Sequence, residues 1–306
     1  MGAEYHAFTR FTFSKWFGWL RYPVAMAQTG WVLAKRRPDV VVAQNPSIVL
    51  AWQAALLRPL FRYRLLIDLH THFVRPTGLA KLIYGFLNGY SLRNCNAVIV
   101  TNEAYRDEIA KKTIQAVLVL PDKVPVFESK FTRVPLNGRS ILYICTFSSD
   151  EPWTEVLEAA PMLSADTTIY ISGRSPIAQS SAPHNVVLTG YLPRDDYENL
   201  LRSVDGVMVL TTAQDNLMCG GYEAVAAGKP IVLSDTPALR RLFTKGAVFT
   251  ENRREAIAES IRTLEGDEQR LRNDIIALGV EMRADWLCLW REVLMVAGID
   301  PAPKIN

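Results

Sequence analysis

The sequence predicts an α/β protein built as two parallel-sheet domains that face a cleft. Short β-branched runs alternate with helix-length segments across residues 38–233, the pattern of parallel strands joined by crossover helices. That alternation is interrupted once, at residues 130–139, by a stretch rich in Pro, Gly and basic side chains. A chain of 306 residues also suffices for two domains at roughly 150 residues each.

In the first series, Val40-Val41-Val42-Ala43 reads as a buried strand that ends at Gln44-Asn45-Pro46-Ser47, with a helix over 48–57. A second strand, 64–68, runs into Leu69-His70-Thr71-His72. Residues 79–92 read as helix and 97–100 as strand, and Thr101-Asn102 supplies the N-cap of a helix that reaches Lys112. Residues 116–120 close this half before Pro121-Asp122-Lys123-Val124-Pro125. The second series places strands at 141–144, 168–173, 186–190, 206–210 and 230–233, with helices at 152–163, 194–204 and 221–227. A last helix, about 267–297, sets Trp286, Leu289, Trp290, Val293 and Leu294 on one apolar stripe that docks it onto a domain. The expected organisation is a Rossmann-like domain over 1–133, a second over 140–280, and a helix over 281–306 that returns to the first.

An apolar content of 49% with 21% charged residues excludes disordered and fibrous classes. No run reaches the ~18 apolar residues of a membrane span, and the opening residues lack the basic-then-apolar order of a secretory leader. Cys95, Cys145, Cys219 and Cys288 are scattered, as are the four His, which argues against a disulfide scaffold or a zinc site and for a reducing cytoplasm. Charge is divided unevenly. Residues 1–140 hold 19 Lys and Arg against 8 Asp and Glu, whereas residues 141–306 hold 15 against 23. The extreme is residues 8–37, where Arg10, Lys15, Arg21 and Lys35-Arg36-Arg37 interleave with Phe8, Phe11, Phe13, Trp16, Phe17, Trp19, Tyr22 and Trp31. That mixture suits an anionic membrane surface, and equally a core-packed helix with a solvated basic face. No base-reading motif or repeat accompanies it, so nucleic acid is not the expected partner.

The stretch richest in chemistry is residues 211–230, TTAQDNLMCGGYEAVAAGKP. A strand opens into a polar loop and then a helix, an arrangement that aims backbone N–H groups and the positive end of a helix dipole beyond the strand. Gly220-Gly221 would let a diphosphate approach the backbone, Glu223 in the first turn would accept from ribose hydroxyls, and Asp215 from sugar hydroxyls. Gly228 and Pro230 end the helix.

This run resembles the acidic-x7-acidic signature of GT-B glycosyltransferases, with Asp215 where Glu is usual. The resemblance implies that Asp215 contacts the donor sugar, that Asn216, Leu217, Met218, Gly220 and Gly221 hold the diphosphate, and that Glu223 holds the ribose. In the first half, VVVAQNPSIVL, LLIDLHTHF, AVIVTNEAYRDEIAKK and LPDKVPVF, followed by SSDEPWTE after the linker, look like motifs of the cytosolic β-1,4-mannosyltransferases that extend chitobiosyl-diphosphodolichol from GDP-mannose. The similarity covers about residues 20–290. The first βαβ units of that family, with their Gly-rich loop, and its N-terminal membrane helix have no counterpart, so a shortened N-domain is expected. Its open strand edge would suit a protein partner or a self-dimer.

Asp68, His70 and His72 share parity beyond a strand end. Asp68 and His70 are candidates for a general base, and the resemblance sets His70 on the donor sugar. Gly173-Arg174 could bring a guanidinium to the diphosphate, while Gly173, Tyr191 and Leu192 wall the nucleoside. Asp195 and Asp196 fit a helix start, Lys123 either an acceptor phosphate or solvent, and Cys219 a structural thiol. The expectation is a metal-independent glycosyltransferase at the cytoplasmic membrane face. It would move a hexose from GDP-mannose or a UDP-sugar, as co-substrate rather than cofactor, to a lipid-linked or membrane-proximal glycan. The alternatives are a nucleotide-sugar epimerase and a non-catalytic, partner-dependent subunit.

Overall fold

The computed structural model describes residue 4 and residues 21–44, 47–69, 78–136 and 138–300. His70, His72 and residues 8–20 of the basic, aromatic segment lie outside the described residues. The chain divides into two compact units, residues 1–120 with 289–306, and residues 121–288.

The first unit runs α1 (Arg21–Arg36), β1 (Val40–Gln44), α2 (Ile48–Phe61), β2 (Arg64–Leu69), α3 (Leu79–Arg93), β3 (Ala97–Val100), α4 (Glu103–Ala110) and β4 (Ala116–Val119). The Ser47 hydroxyl accepts from the Leu50 N–H at 3.3 Å to start α2, and Arg62 at φ 58° stops it. Asn102 caps α4 through the Tyr105 N–H at 3.0 Å, as its position before a helical run implies. The four strands are parallel in the order β1-β2-β3-β4. Right-handed crossovers that always step the same way put every connecting helix on one face. Ala51, Ala54 and Ala55 of α2, Leu92 of α3, and Tyr105 and Ile109 of α4 therefore share one core with Ala43, Leu65, Ile67, Leu69, Val98 and Val100. The opposite face, Leu66, Ala97 and Ile99, is covered by Val293 and Ala297 of the last helix. Asp68 does not lie beyond its strand: it pairs in register with Gln44 and Ile99 inside β2, which runs one residue longer than its apolar stretch suggests.

The second unit runs β5 (Arg139–Tyr143), α5 (Trp153–Ala159), β6 (Thr167–Ser172), β7 (Val186–Gly190), α6 (Arg194–Ser203), β8 (Gly206–Val209), α7 (Cys219–Ala227), β9 (Ile231–Ser234), α8 (Pro237–Leu242), β10 (Ala247–Thr250), α9 (Arg254–Gly266) and α10 (Glu268–Ala297). From Leu289 onward α10 belongs to the first unit. The expected helix over 152–163 is shorter because its last turn tightens at Ala160-Pro161-Met162. The six strands are parallel in the order β10-β9-β8-β5-β6-β7, with helices on both faces. The boundary falls at Leu120 rather than near Arg133. Residues past 120 pack with the second unit: Val124 is buried in its core, and the Thr132 and Val134 N–H groups donate to Asn199 and Ser203, both at 2.8 Å.

Candidate functional site

The order of the second sheet reverses direction between β5 and β8. In open α/β sheets the crevice beyond the strand carboxyl ends at such a reversal is where ligands bind. Two loops leave the strands there, residues 144–152 and 210–218.

The first loop is gathered by Glu151, whose buried Oε2 accepts from the Thr146 N–H at 2.8 Å, the Thr146 hydroxyl at 2.9 Å and the Ser148 N–H at 2.9 Å. The loop turns at Phe147, held at φ 61°, whose ring meets Trp153 edge-on at 5.6 Å. Asp150 joins this loop to the second. Its carbonyl accepts from the Thr212 N–H at 2.7 Å and its carboxylate from the Thr211 hydroxyl at 3.3 Å. The Thr211 N–H donates to Ser234 Oγ at 2.8 Å and its carbonyl accepts from Asn252 Nδ2 at 2.8 Å, so the ends of β8, β9 and β10 are laced together.

Helix α7 begins at Cys219, two residues earlier than its sequence suggests, so Glu223 lies in the second turn rather than the first. Met218 holds the cap position without a side-chain cap hydrogen bond, and the first turn carries no carboxylate. The positive end of its dipole thus faces the crevice without a competing acidic side chain of its own. Gly220 and Gly221 have a packing reason. A Cβ on Gly220 would sit 3.0 Å from Val209 Cγ2 and 3.1 Å from Ile144 Cδ1, and one on Gly221 would sit 2.5 Å from Phe243 Cζ. Gly220 thus lets α7 lie close against the ends of β5 and β8, and Gly221 lets it lie close against the end of α8. Asp215, Asn216, Leu217 and Met218 are half-buried on the loop, with Leu217 and Met218 resting on the core.

Glu223 is half-buried, and burial raises its carboxyl above the ordinary range. It accepts a hydrogen bond from the Tyr197 hydroxyl of α6. Burial, followed by the Glu223 charge, pushes that phenol far up, so it stays a donor.

The exits of β6 and β7 come together as well. The Gly173 N–H donates to the Gly190 carbonyl at 3.0 Å. Gly173 takes φ 94°, and any Cβ there would collide with the Cys145 carbonyl oxygen. Beyond it the Arg174 guanidinium lies 5.7 Å over the Tyr191 ring, which is 77% exposed. Leu192 is half-buried against the core. The structure therefore gathers residues 173, 174, 191, 192, 215–218, 220, 221 and 223 at the carboxyl ends of one sheet, whereas Asp68 belongs to the other unit.

Lys123 lies 5.3 Å over the ring of Trp286, whose indole N–H donates to the Pro121 carbonyl at 3.0 Å, so this lysine braces α10. Cys219 has its sulfur 4.0 Å from Asp122, and partial desolvation with the Asp122 and Glu223 charges raises its thiol. That environment opposes a thiolate nucleophile. Among the described residues no three His, Cys, Asp or Glu side chains gather to hold a metal ion. Glu151 and Tyr197 escape a reading of the sequence by role. Glu151 lies within the SSDEPWTE stretch, which does not disclose what it holds, and Tyr197 lies on α6, 26 residues from its partner.

Two parallel-sheet units, one with a loop-and-helix cradle at its reversal, define the class of GT-B glycosyltransferases. Residues 2–122 match the model of the glycosyl transferase 4-like domain, and residues 126–281 match that of glycosyl transferases group 1. The chain belongs to the glycosyl transferases group 1 family. Among solved structures it is similar to sucrose-phosphate synthase from Thermosynechococcus elongatus (TM-score 0.68, 14% identity, 94% of this chain and 82% of that one). It is also similar to Anabaena HepE in complex with UDP (TM-score 0.69, 15% identity, 93% and 84%). A third is a putative UDP-N-acetylglucosamine 2-epimerase from Listeria monocytogenes (TM-score 0.61, 14% identity, 93% and 82%). No curated protein matches the chain.

Proposed function

We propose that this protein transfers a hexose from a nucleotide diphosphate-sugar, GDP-mannose or a UDP-sugar, to a lipid-linked or membrane-proximal glycan, without a metal ion or resident cofactor. The observation that carries this reading is the start of α7 at the sheet reversal, with no carboxylate in its first turn and Glu223 held by Tyr197 behind it. Asn216, Leu217, Met218, Gly220 and Gly221 receive the diphosphate with their backbone, and Arg174 pairs with it. Glu223 accepts from the ribose, Asp215 from the donor sugar, and Gly173, Tyr191 and Leu192 wall the nucleoside. The acceptor hydroxyl attacks the anomeric carbon, the bond to the diphosphate breaks, and the proton passes to a base for which Asp68 and His70 are candidates. His70 also contacts the donor sugar. Negative charge grows on the leaving diphosphate, and preorganised dipoles aimed at such charge are usually the largest catalytic contribution.

The UDP and UDP-glucose complexes of HepE support a nucleotide-sugar donor. The ordered mannosyltransferase-like motifs support GDP-mannose and a lipid-linked acceptor. Residues 8–37 would place the first unit on an anionic membrane at the cytoplasmic face. No described helix is long and apolar enough to cross a membrane.

A thermal-shift panel of GDP, UDP and dTDP with their common sugars tests the donor. A ligand at about 100 times its Kd adds about 2.7 kcal/mol. Selective response to GDP-mannose or to one UDP-sugar supports transfer from that donor, and no response to any nucleotide overturns the reading in favour of a partner-dependent subunit. Glu223→Ala should cost roughly 1.5–3 kcal/mol of nucleotide binding, the value of a charged hydrogen bond. Unchanged affinity in the folded variant removes Glu223 from the site.

A further inference from the structure

The three helices on the outside of the first sheet have an unusual surface. Helices α1, α2 and α3, of 16, 14 and 15 residues, contain no Asp or Glu. Their inner faces supply Leu33, Ala51, Ala55 and Leu92 to the core. Their outer faces are apolar too: Trp31 is 60% exposed, Leu56 47%, Leu60 70%, Leu82 71%, Ile83 53% and Phe86 64%. A surface helix of a soluble protein normally turns charged residues outward. Here α2 packs between α1 and α3, so the exposed side chains form one layer rather than scattered positions.

The cations stand at the helix ends. Short connections return α1, α2 and α3 to the starts of β1, β2 and β3, so all three helices end on the same side of the sheet. Lys35 and Arg36, Arg58 and Arg93 occupy those last turns, with Arg36 paired to Glu4 at 2.8 Å, while Arg21 and Lys81 sit in the first turns of α1 and α3. The layer is thus apolar and aromatic across its width and cationic toward the helix ends, with Lys35 Nζ 4.6 Å over the Trp31 ring. A two-fold contact between copies of this face would set part of the same positive surface against itself. Anionic headgroups, by contrast, complement these cations while the acyl boundary takes the rings and aliphatic side chains.

We propose that the outer face of α1–α3 docks on an anionic lipid bilayer. The proposal deepens the reading of a membrane-proximal acceptor and rests on it. It assigns the contact to a helical layer that reaches Phe86, well past the basic, aromatic segment at residues 8–37.

The test is co-sedimentation of the full chain with phosphatidylcholine vesicles with and without phosphatidylglycerol. The chain should pellet with phosphatidylglycerol vesicles, and the surface variant Leu82→Glu/Phe86→Glu should lower the bound fraction about tenfold or more. Lys35→Gln should weaken binding roughly fivefold on phosphatidylglycerol vesicles alone. A chain that stays in the supernatant overturns the proposal, as does a double variant that binds like the parent. A dimer in light scattering that the double variant dissolves also overturns it, and makes the face a self-interface. Nucleotide thermal shifts on the same samples separate the two ideas. Vesicle binding without a nucleotide response removes the transfer reading and leaves the lipid face standing, whereas a nucleotide response without vesicle binding removes the lipid face alone.

Discussion

The two units are built from the same parallel strands and crossover helices, yet they offer different things. In the second, the sheet reverses direction between β5 and β8, and buried Glu151 and half-buried Asp150 lace the loops at that point into a cradle. In the first, the described strands step one way only, so no reversal arises within them, and what the unit presents is a helical face. The comparison teaches that strand order decides where a parallel sheet has a site. A reversal makes a crevice that polar groups can furnish, and a uniform order stacks helices on one side.

That contrast can be broken by experiment. The largest effect is expected from Glu151→Ala, which removes the buried carboxylate that accepts from Thr146 and Ser148 and should cost about 3 kcal/mol. Urea unfolding should show the loss in the second unit, with nucleotide response abolished. A loss no greater, about 3 kcal/mol, is expected for Gly173→Ala, where φ 94° and the Cys145 carbonyl both oppose a side chain. A variant that is as stable as the parent would show that the β6 exit is not fixed as described.

Lys229 sharpens the comparison within the second unit, because it lies at the end of the sheet opposite the cradle. Burial, reinforced by Arg272, pulls its amine from 10.5 to about 8. Below pH 8 the amine is protonated in both folded and unfolded chains, and the fold bears the cost of a buried ammonium. Between 8 and 10.5 the unfolded chain binds more protons, so stability rises with pH across that window. Lys229→Met should add about 2 kcal/mol at pH 7, a gain that fades toward pH 10.5, with nucleotide response unchanged. A pH-independent difference in Tm would assign the effect to packing. Least of all, Leu82→Glu/Phe86→Glu should move the first unit's stability within about 0.5 kcal/mol, as surface substitutions do.

Much of this was legible in the sequence. Short apolar runs such as Ala97-Val98-Ile99-Val100 announce buried parallel strands, and the loop-to-helix change at Leu210 to Ala227 marks the cradle by its glycines and spaced carboxylates. What escaped was set by partners distant in sequence. Ala247–Thr250 is short and half-buried, and it becomes a strand only by pairing with β9. Tyr197 matters through Glu223, and the outer layer of α1–α3 is apolar on both faces, so its sequence reads as core.

The sheet face covered by Val293 and Ala297 has a further consequence for how the chain folds as it is made. The first unit is assembled from residues 1–120, but its last layer arrives only with residue 289 onward. At the usual pace of synthesis the ribosome needs roughly ten to thirty seconds to cross that interval. Throughout it Leu66, Ala97 and Ile99 present an open apolar surface, so the first unit emerges first and is finished last, a natural client for a chaperone.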